Sequence, residues 1–165
     1  MVAGEVTRRW RWAVGAVAVM AAVVLAAGCG TTGSPTASVT AGGLAVADAS
    51  VTEGDAIAAG YLTVRSTGTA DRLVGASTPA AARVSLHRTT PAGAMVGTDV
   101  IEVPAGGEVR FAPGGDHLMF EGLAQPLQPG DTVSLTLRFE QSGDVDIEVP
   151  VVGLVDVLDI YSGGW

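Results

Sequence analysis

Between residues 44 and 151 the apolar positions recur every second residue, the spacing of a pleated strand with one buried face rather than of a helix. The clearest run is 132–139, where Val133, Leu135, Leu137 and Phe139 alternate with Thr132, Ser134, Thr136 and Arg138. Residues 145–151 repeat the pattern with Val145, Ile147, Val149 and Val151. Earlier strands are expected around Leu44 and Val46, over 58–66 with Leu62 and Val64 inward, and over 72–77. In the next, Ala82, Val84 and Leu86 share one face and Arg83, Ser85 and His87 the other. Short strands follow at 100–103 and 108–111, then one at 117–120 in which Leu118 and Phe120 are the core pair. Gly, Pro, Asp and Ser clusters separate these runs: Glu53-Gly-Asp55, residues 67–71, Pro91-Ala-Gly93, residues 104–107, Pro113-Gly-Gly115, residues 126–131 and 141–144. Such turn signals at intervals of about eight to twelve residues predict an all-β sandwich or barrel of about seven to eight strands. No span after the N-terminal region carries a convincing helical stripe, and residues 152–165 read as an edge strand or a tail.

The N-terminal region departs from this pattern. Arg8, Arg9 and Arg11 precede an unbroken apolar run from Ala13 to Ala27, short for a membrane span and suited to a signal-peptide core. It ends in Leu25-Ala-Ala-Gly-Cys29, which resembles the lipobox of bacterial lipoproteins, with Ala26 where that motif usually has leucine. The expected organisation is a lipoprotein signal peptide over 1–28, a lipid on Cys29, and a flexible Thr/Ser/Gly/Pro-rich tether over 29–43. The domain proper then spans 44–151. An uncleaved anchor is the alternative, and either puts the domain outside the cytoplasmic membrane.

Cys29 is the sole cysteine, which excludes an intramolecular disulfide, a Cys-x-x-Cys redox centre and a thiolate zinc site. Without the signal peptide, six arginines face sixteen carboxylates, a formal charge of −10. A surface this acidic disfavours nucleic acid. About 120 residues suffice to bury an adequate core without disulfides.

The remaining chemistry is concentrated in one window. The chain has two histidines and four methionines. Met1 is the initiator and Met20 falls in the signal peptide, so every other residue of either type, His87, Met95, His117 and Met119, lies within 87–119. Alternation puts His117 and Met119 together on the face opposite Leu118 and Phe120. Imidazole and thioether without thiolate form a soft donor set suited to monovalent copper. The carboxylates Glu102, Glu108, Asp116 and Glu121 read as solvated. The glycine pairs at 106–107 and 114–115 read as turn glycines, since no helix follows to make a phosphate loop.

With seven residues between His87 and Met95 and twenty-one between Met95 and His117, the window resembles the metal motif of the periplasmic copper chaperones called PCu(A)C. The flanks are similar too: Ala80-Ala-Ala-Arg-Val-Ser-Leu-His87, Ile101-Glu-Val-Pro-Ala-Gly-Gly107, Pro113-Gly-Gly-Asp-His-Leu-Met119 and the stretch 123–137. That family usually spaces its first histidine and first methionine more widely, so the shorter loop makes Met95 the least secure ligand. The resemblance implies a cupredoxin-like or Ig-like sandwich that is not an enzyme. It implies one Cu(I) on His87, Met95, His117 and Met119, delivered to a respiratory oxidase subunit or a second assembly chaperone. The contrasting reading is a metal-free Ig-like adhesion or structural lipoprotein, which leaves the clustering of His and Met unexplained.

Overall fold

The computed structural model describes residues 37–162. The expected signal peptide and Cys29 lie outside the described residues. The elements are β1 (Ala37–Ala41), β2 (Leu44–Thr52), β3 (Ile57–Ser66), β4 (Asp71–Ser77), β5 (Ala81–Thr89), β6 (Met95–Thr98), β7 (Ile101–Val103), β8 (Glu108–Phe111), β9 (Asp116–Leu123), β10 (Thr132–Phe139), β11 (Gly143–Val152) and α1 (Leu154–Ser162). β1 falls within the stretch whose composition reads as tether; it pairs antiparallel with β2.

Eight strands follow one another in hydrogen-bonded order β5-β9-β8-β3-β2-β11-β10-β4, and β4 meets β5 again through Ala76 opposite Val84. The sheet therefore closes on itself as a barrel. β6, β7 and β1 add to β5, β4 and β2 as extra strands. The all-β class agrees with the alternating pattern. The two facing sheets implied by the resemblance are replaced by one continuous sheet, because register shifts in β2 and between Arg138 and Phe139 let strands turn corners without losing their partners. Closure also removes most of the free strand edge.

Inside the barrel the inward phase holds throughout. Leu62 and Val64, Leu118 and Phe120, and Val133, Leu135, Leu137 and Phe139 are all buried in one cluster with Phe111, Leu73 and the inward residues of β11. Asp71 is a buried carboxylate that accepts N–H bonds from Arg72, Gln141 and Ser142. Its burial works to raise its pKa, but these hydrogen bonds outweigh that and hold it below the ordinary aspartate value. It ties the start of β4 to the β10–β11 turn.

The C-terminal segment corrects the edge-strand or tail expectation: Leu154–Ser162 is a helix. A helix this short is marginal alone, so its packing explains it. Val157 and Tyr161, one turn apart, are buried with Val152 against Tyr61 and Ala112 on the outer face of the barrel. The Glu53 carboxylate accepts the Leu154 N–H at 3.0 Å and caps the first turn. Tyr161 donates its hydroxyl to the Asp48 carbonyl at 2.6 Å. Asp48 has φ +53° in the irregular part of β2, which frees that carbonyl from the strand ladder. Burial first of all pushes the Tyr161 hydroxyl up to about 12.

Candidate metal centre

Directly opposed residues in an antiparallel pair project to the same side of a sheet, and so do residues two apart on one strand. Across β5 and β9, His87 faces His117 and Ser85 faces Met119. On the other flank of β5, Met95 of β6 faces Thr89, and Gly97 faces His87. All four residues of the His/Met window therefore project from one side of β6-β5-β9. It is the outer side, because Leu86 and Leu118 of the same strands point into the core.

The two imidazoles lie against each other, ring centroids 5.6 Å apart and planes tilted by 40°. Met119 is diagonal to His87 on the neighbouring strand, within reach for a long side chain. Met95 stands in the same diagonal relation to His87 on the other flank, two residues from Gly97, which is opposite His87. Its level on β5 is Thr89 and that of Met119 is Ser85, a separation of about 13 Å along the strands, with one strand between them. It is also 62% exposed. The short loop between β5 and β6 forms a tight turn in which Gly93 adopts φ +82° and donates to the Thr90 carbonyl. That turn keeps β6 in register, with Met95 opposite Thr89.

His117 points outward yet is only 5% exposed, where alternation alone predicts a solvated residue. The outer face nearby is not bare: α1 packs on Tyr61 and Ala112, and the Ala112 N–H donates to the Asp116 carbonyl beside His117. Each ring has one nitrogen engaged. His117 Nδ1 lies 3.1 Å from the Gly115 carbonyl, and His87 Nε2 lies 3.1 Å from Ser85 Oγ. The other two, His87 Nδ1 and His117 Nε2, are buried without a protein hydrogen-bond partner. Folded proteins leave few such groups, because each costs about 1–3 kcal/mol. A metal ion between the rings is one way to satisfy both.

Among the described residues no group of three or more His, Cys, Asp or Glu side chains is placed to hold a metal. The methionine on the same face, Met119, offers a thioether beside the two imidazoles, a donor set that favours a soft cation. Of the carboxylates read as solvated, Glu102, Glu108 and Glu121 are on the surface and paired with Arg72, Arg65 and Arg83; Asp116 is instead largely buried, its side chain 13% exposed and paired with Arg88. Asp116 accepts two bonds from Arg88 on the face opposite His117. Glu121 is the one whose role was missed, since it also touches Ser85. The signal available in the sequence was position: Ser85 shares the face of His87, two residues away.

The closed all-β barrel is shared with solved PCuAC copper-chaperone domains. Residues 34–151 match the family described as "Putative lipoprotein LpqE-like", and the chain belongs to that family. A relative from Leifsonia xyli subsp. xyli, "Putative lipoprotein Lxx21020", is 35% identical over 115 residues, 67% of this chain and 69% of the relative. Among solved structures, the copper-bound PCuAC domain from PmoF2 is 25% identical with a TM-score of 0.63, covering 70% of this chain and 97% of that one. The solution structure of CuI-DR1885 from Deinococcus radiodurans is 32% identical with a TM-score of 0.52, covering 63% of this chain and 74% of that one.

Proposed function

We propose that this chain is an extracytoplasmic Cu(I) carrier. His87 and His117 grip the ion through their free nitrogens, Met119 supplies one sulfur from β9, and Met95 is a fourth ligand reaching in from β6. The observation that carries the reading is the pair of buried ring nitrogens with no other partner, set beside a methionine. The similarity to the copper-bound PmoF2 domain and to CuI-DR1885 supports copper as the cargo. Neutral imidazole and thioether ligands hold Cu(I) without a thiolate, so the ion stays exchangeable, as a carrier rather than an enzyme or an electron-transfer centre requires. The recipient is a respiratory oxidase subunit or a second assembly chaperone.

Titrating the purified chain anaerobically with Cu(I), against a competing chromophoric chelator, tests this directly. One equivalent should bind. The Met95→Leu variant separates the two ligand sets: about a tenfold or greater loss of affinity is expected if its sulfur joins the ion. Unchanged affinity would leave a three-ligand site of His87, His117 and Met119. No binding by the wild-type chain would return the protein to the metal-free adhesion reading.

The anchoring proposal is that Cys29 becomes the lipidated first residue and holds the domain at the outer face of the cytoplasmic membrane. The LpqE-like family and the Leifsonia lipoprotein support it. Mass spectrometry of the membrane fraction should find an acylated N-terminal peptide starting at Cys29; an unmodified terminus at another residue removes the claim.

A further inference from the structure

The two histidines are held by different kinds of partner. His117 Nδ1 faces a backbone carbonyl, which can only accept. The proton must therefore sit on Nδ1, and Nε2 is left with its lone pair free. His87 Nε2 faces a hydroxyl, which can donate or accept, so that contact alone does not settle its tautomer. The next residue in the chain of bonds does. Ser85 Oγ is 3.2 Å from Glu121 Oε2, and Arg83 Nε donates to the same oxygen at 2.9 Å.

We infer that Ser85 and Glu121 are positioning residues that set the tautomer of His87 for metal binding. An ionised carboxylate accepts only, so Ser85 spends its single proton on Glu121. The hydroxyl oxygen then accepts from His87 Nε2–H, and His87 Nδ1 carries the lone pair. The opposite arrangement has Ser85 donating to Nε2. It sets the hydroxyl lone pairs against the Glu121 oxygen and leaves a buried N–H at Nδ1 without an acceptor, both unfavourable. Arg83 is exposed, so its ion pair adds little stability, but it turns the carboxylate towards Ser85. The nitrogens left as acceptors are then His87 Nδ1 and His117 Nε2, the same two that are buried and unpartnered. A side-chain relay prepares one ligand and a backbone carbonyl the other.

The register explains how these residues meet. Arg83 lies opposite Glu121, Ser85 opposite Met119, and His87 opposite His117. The three levels follow one another on a single face, so the relay runs down β5 and β9 beside the proposed site. Partners of metal-ligating histidines commonly change metal affinity by about 10–100-fold when removed.

The tautomer can be read without copper, so the test does not depend on the carrier reading; only the effect on affinity rests on it. Long-range 1H–15N correlation spectra of the full, metal-free chain in detergent micelles, at about pH 8.5 where imidazole is neutral, report which nitrogen holds each proton. His87 should be Nε2–H and His117 Nδ1–H. In Ser85→Ala and Glu121→Ala, His87 should become a mixture of tautomers while His117 stays Nδ1–H, which also shows that the fold is intact. Ser85→Thr, which keeps the hydroxyl, and Glu121→Gln, whose amide oxygen still accepts, should restore the wild-type signature. Cu(I) affinity should fall about 10–100-fold in Ser85→Ala and recover in Ser85→Thr. The inference is overturned if wild-type His87 carries its proton on Nδ1, or if Ser85→Ala leaves the His87 signature unchanged. A wild-type chain that binds no Cu(I) overturns the carrier reading instead, and the spectra then decide the tautomer claim by themselves.

Discussion

Replacing His117 with alanine is expected to cost more than about a hundredfold in Cu(I) affinity, beyond the range found for residues that merely support a ligand. The side chain is the more enclosed of the two imidazoles, and its free nitrogen is fixed by a backbone bond that no other side chain can imitate. Its loss takes away a ligand and opens the site to water on the β9 side. The same change removes the hydrogen bond to the Gly115 carbonyl, worth about 1 kcal/mol of stability, so the barrel should remain folded. A double variant, His87→Ala with His117→Ala, gives a sharper result. If both rings hold one ion, the second substitution should cost far less than the first, because the ion already lacks half of its nitrogen ligands. Chelator competition on the single and double variants measures this. Additive losses would mean two independent sites, and unchanged affinity in both would mean that copper binds elsewhere or not at all.

The largest effect on stability is expected from Phe120→Ala, about 3–5 kcal/mol. Phe120 is fully buried on β9, one residue from Met119 but pointing the opposite way. Its ring lies against Gly60 so closely that a Cβ at that position would sit 2.7 Å from it. A glycine has no side chain to move into the void, and a closed barrel cannot collapse across it without disturbing strand register. Against a typical domain stability of about 5–15 kcal/mol, the loss is large. Urea denaturation should show a lower midpoint with an unchanged slope. Below the transition, Cu(I) affinity should stay close to wild type, since the ligands occupy the other face of the strand. A loss under about 1 kcal/mol would contradict the tight packing around Gly60, and a large fall in affinity of the folded protein would contradict the separation of the two faces.

The separation of those faces is legible in the sequence. Leu118 and Phe120 against His117 and Met119 is a statement about the pleat, and the pleat follows from covalent geometry within a few residues. The same holds for Val133 to Phe139 on β10 and for the turns at Pro104 and Pro113, where Gly106 and Gly114 adopt positive φ. The set His87, Met95, His117 and Met119 was also legible, because no other residues of those types remain once the N-terminal region is set aside.

Other features depend on partners distant in the chain. The apolar residues of 154–161 fit a strand edge about as well as a helix. The outcome turned on Tyr61, Ala112 and the Asp48 carbonyl, which receive Val157 and Tyr161. The pattern left sandwich and barrel open, and closure rests on Ala76 meeting Val84. The shortened loop already marked Met95 as the weakest of the four; the pairing of β6 with β5 decided where it sits, opposite Thr89 and diagonal to His87. The free nitrogen of each ring depends on Gly115 for one and on Ser85 with Glu121 for the other. Alternation can say which way a histidine points, because that is local. Which of its nitrogens is free depends on hydrogen-bond partners that only strand register brings alongside, and for His87 the relay reaches across to Glu121 on a different strand.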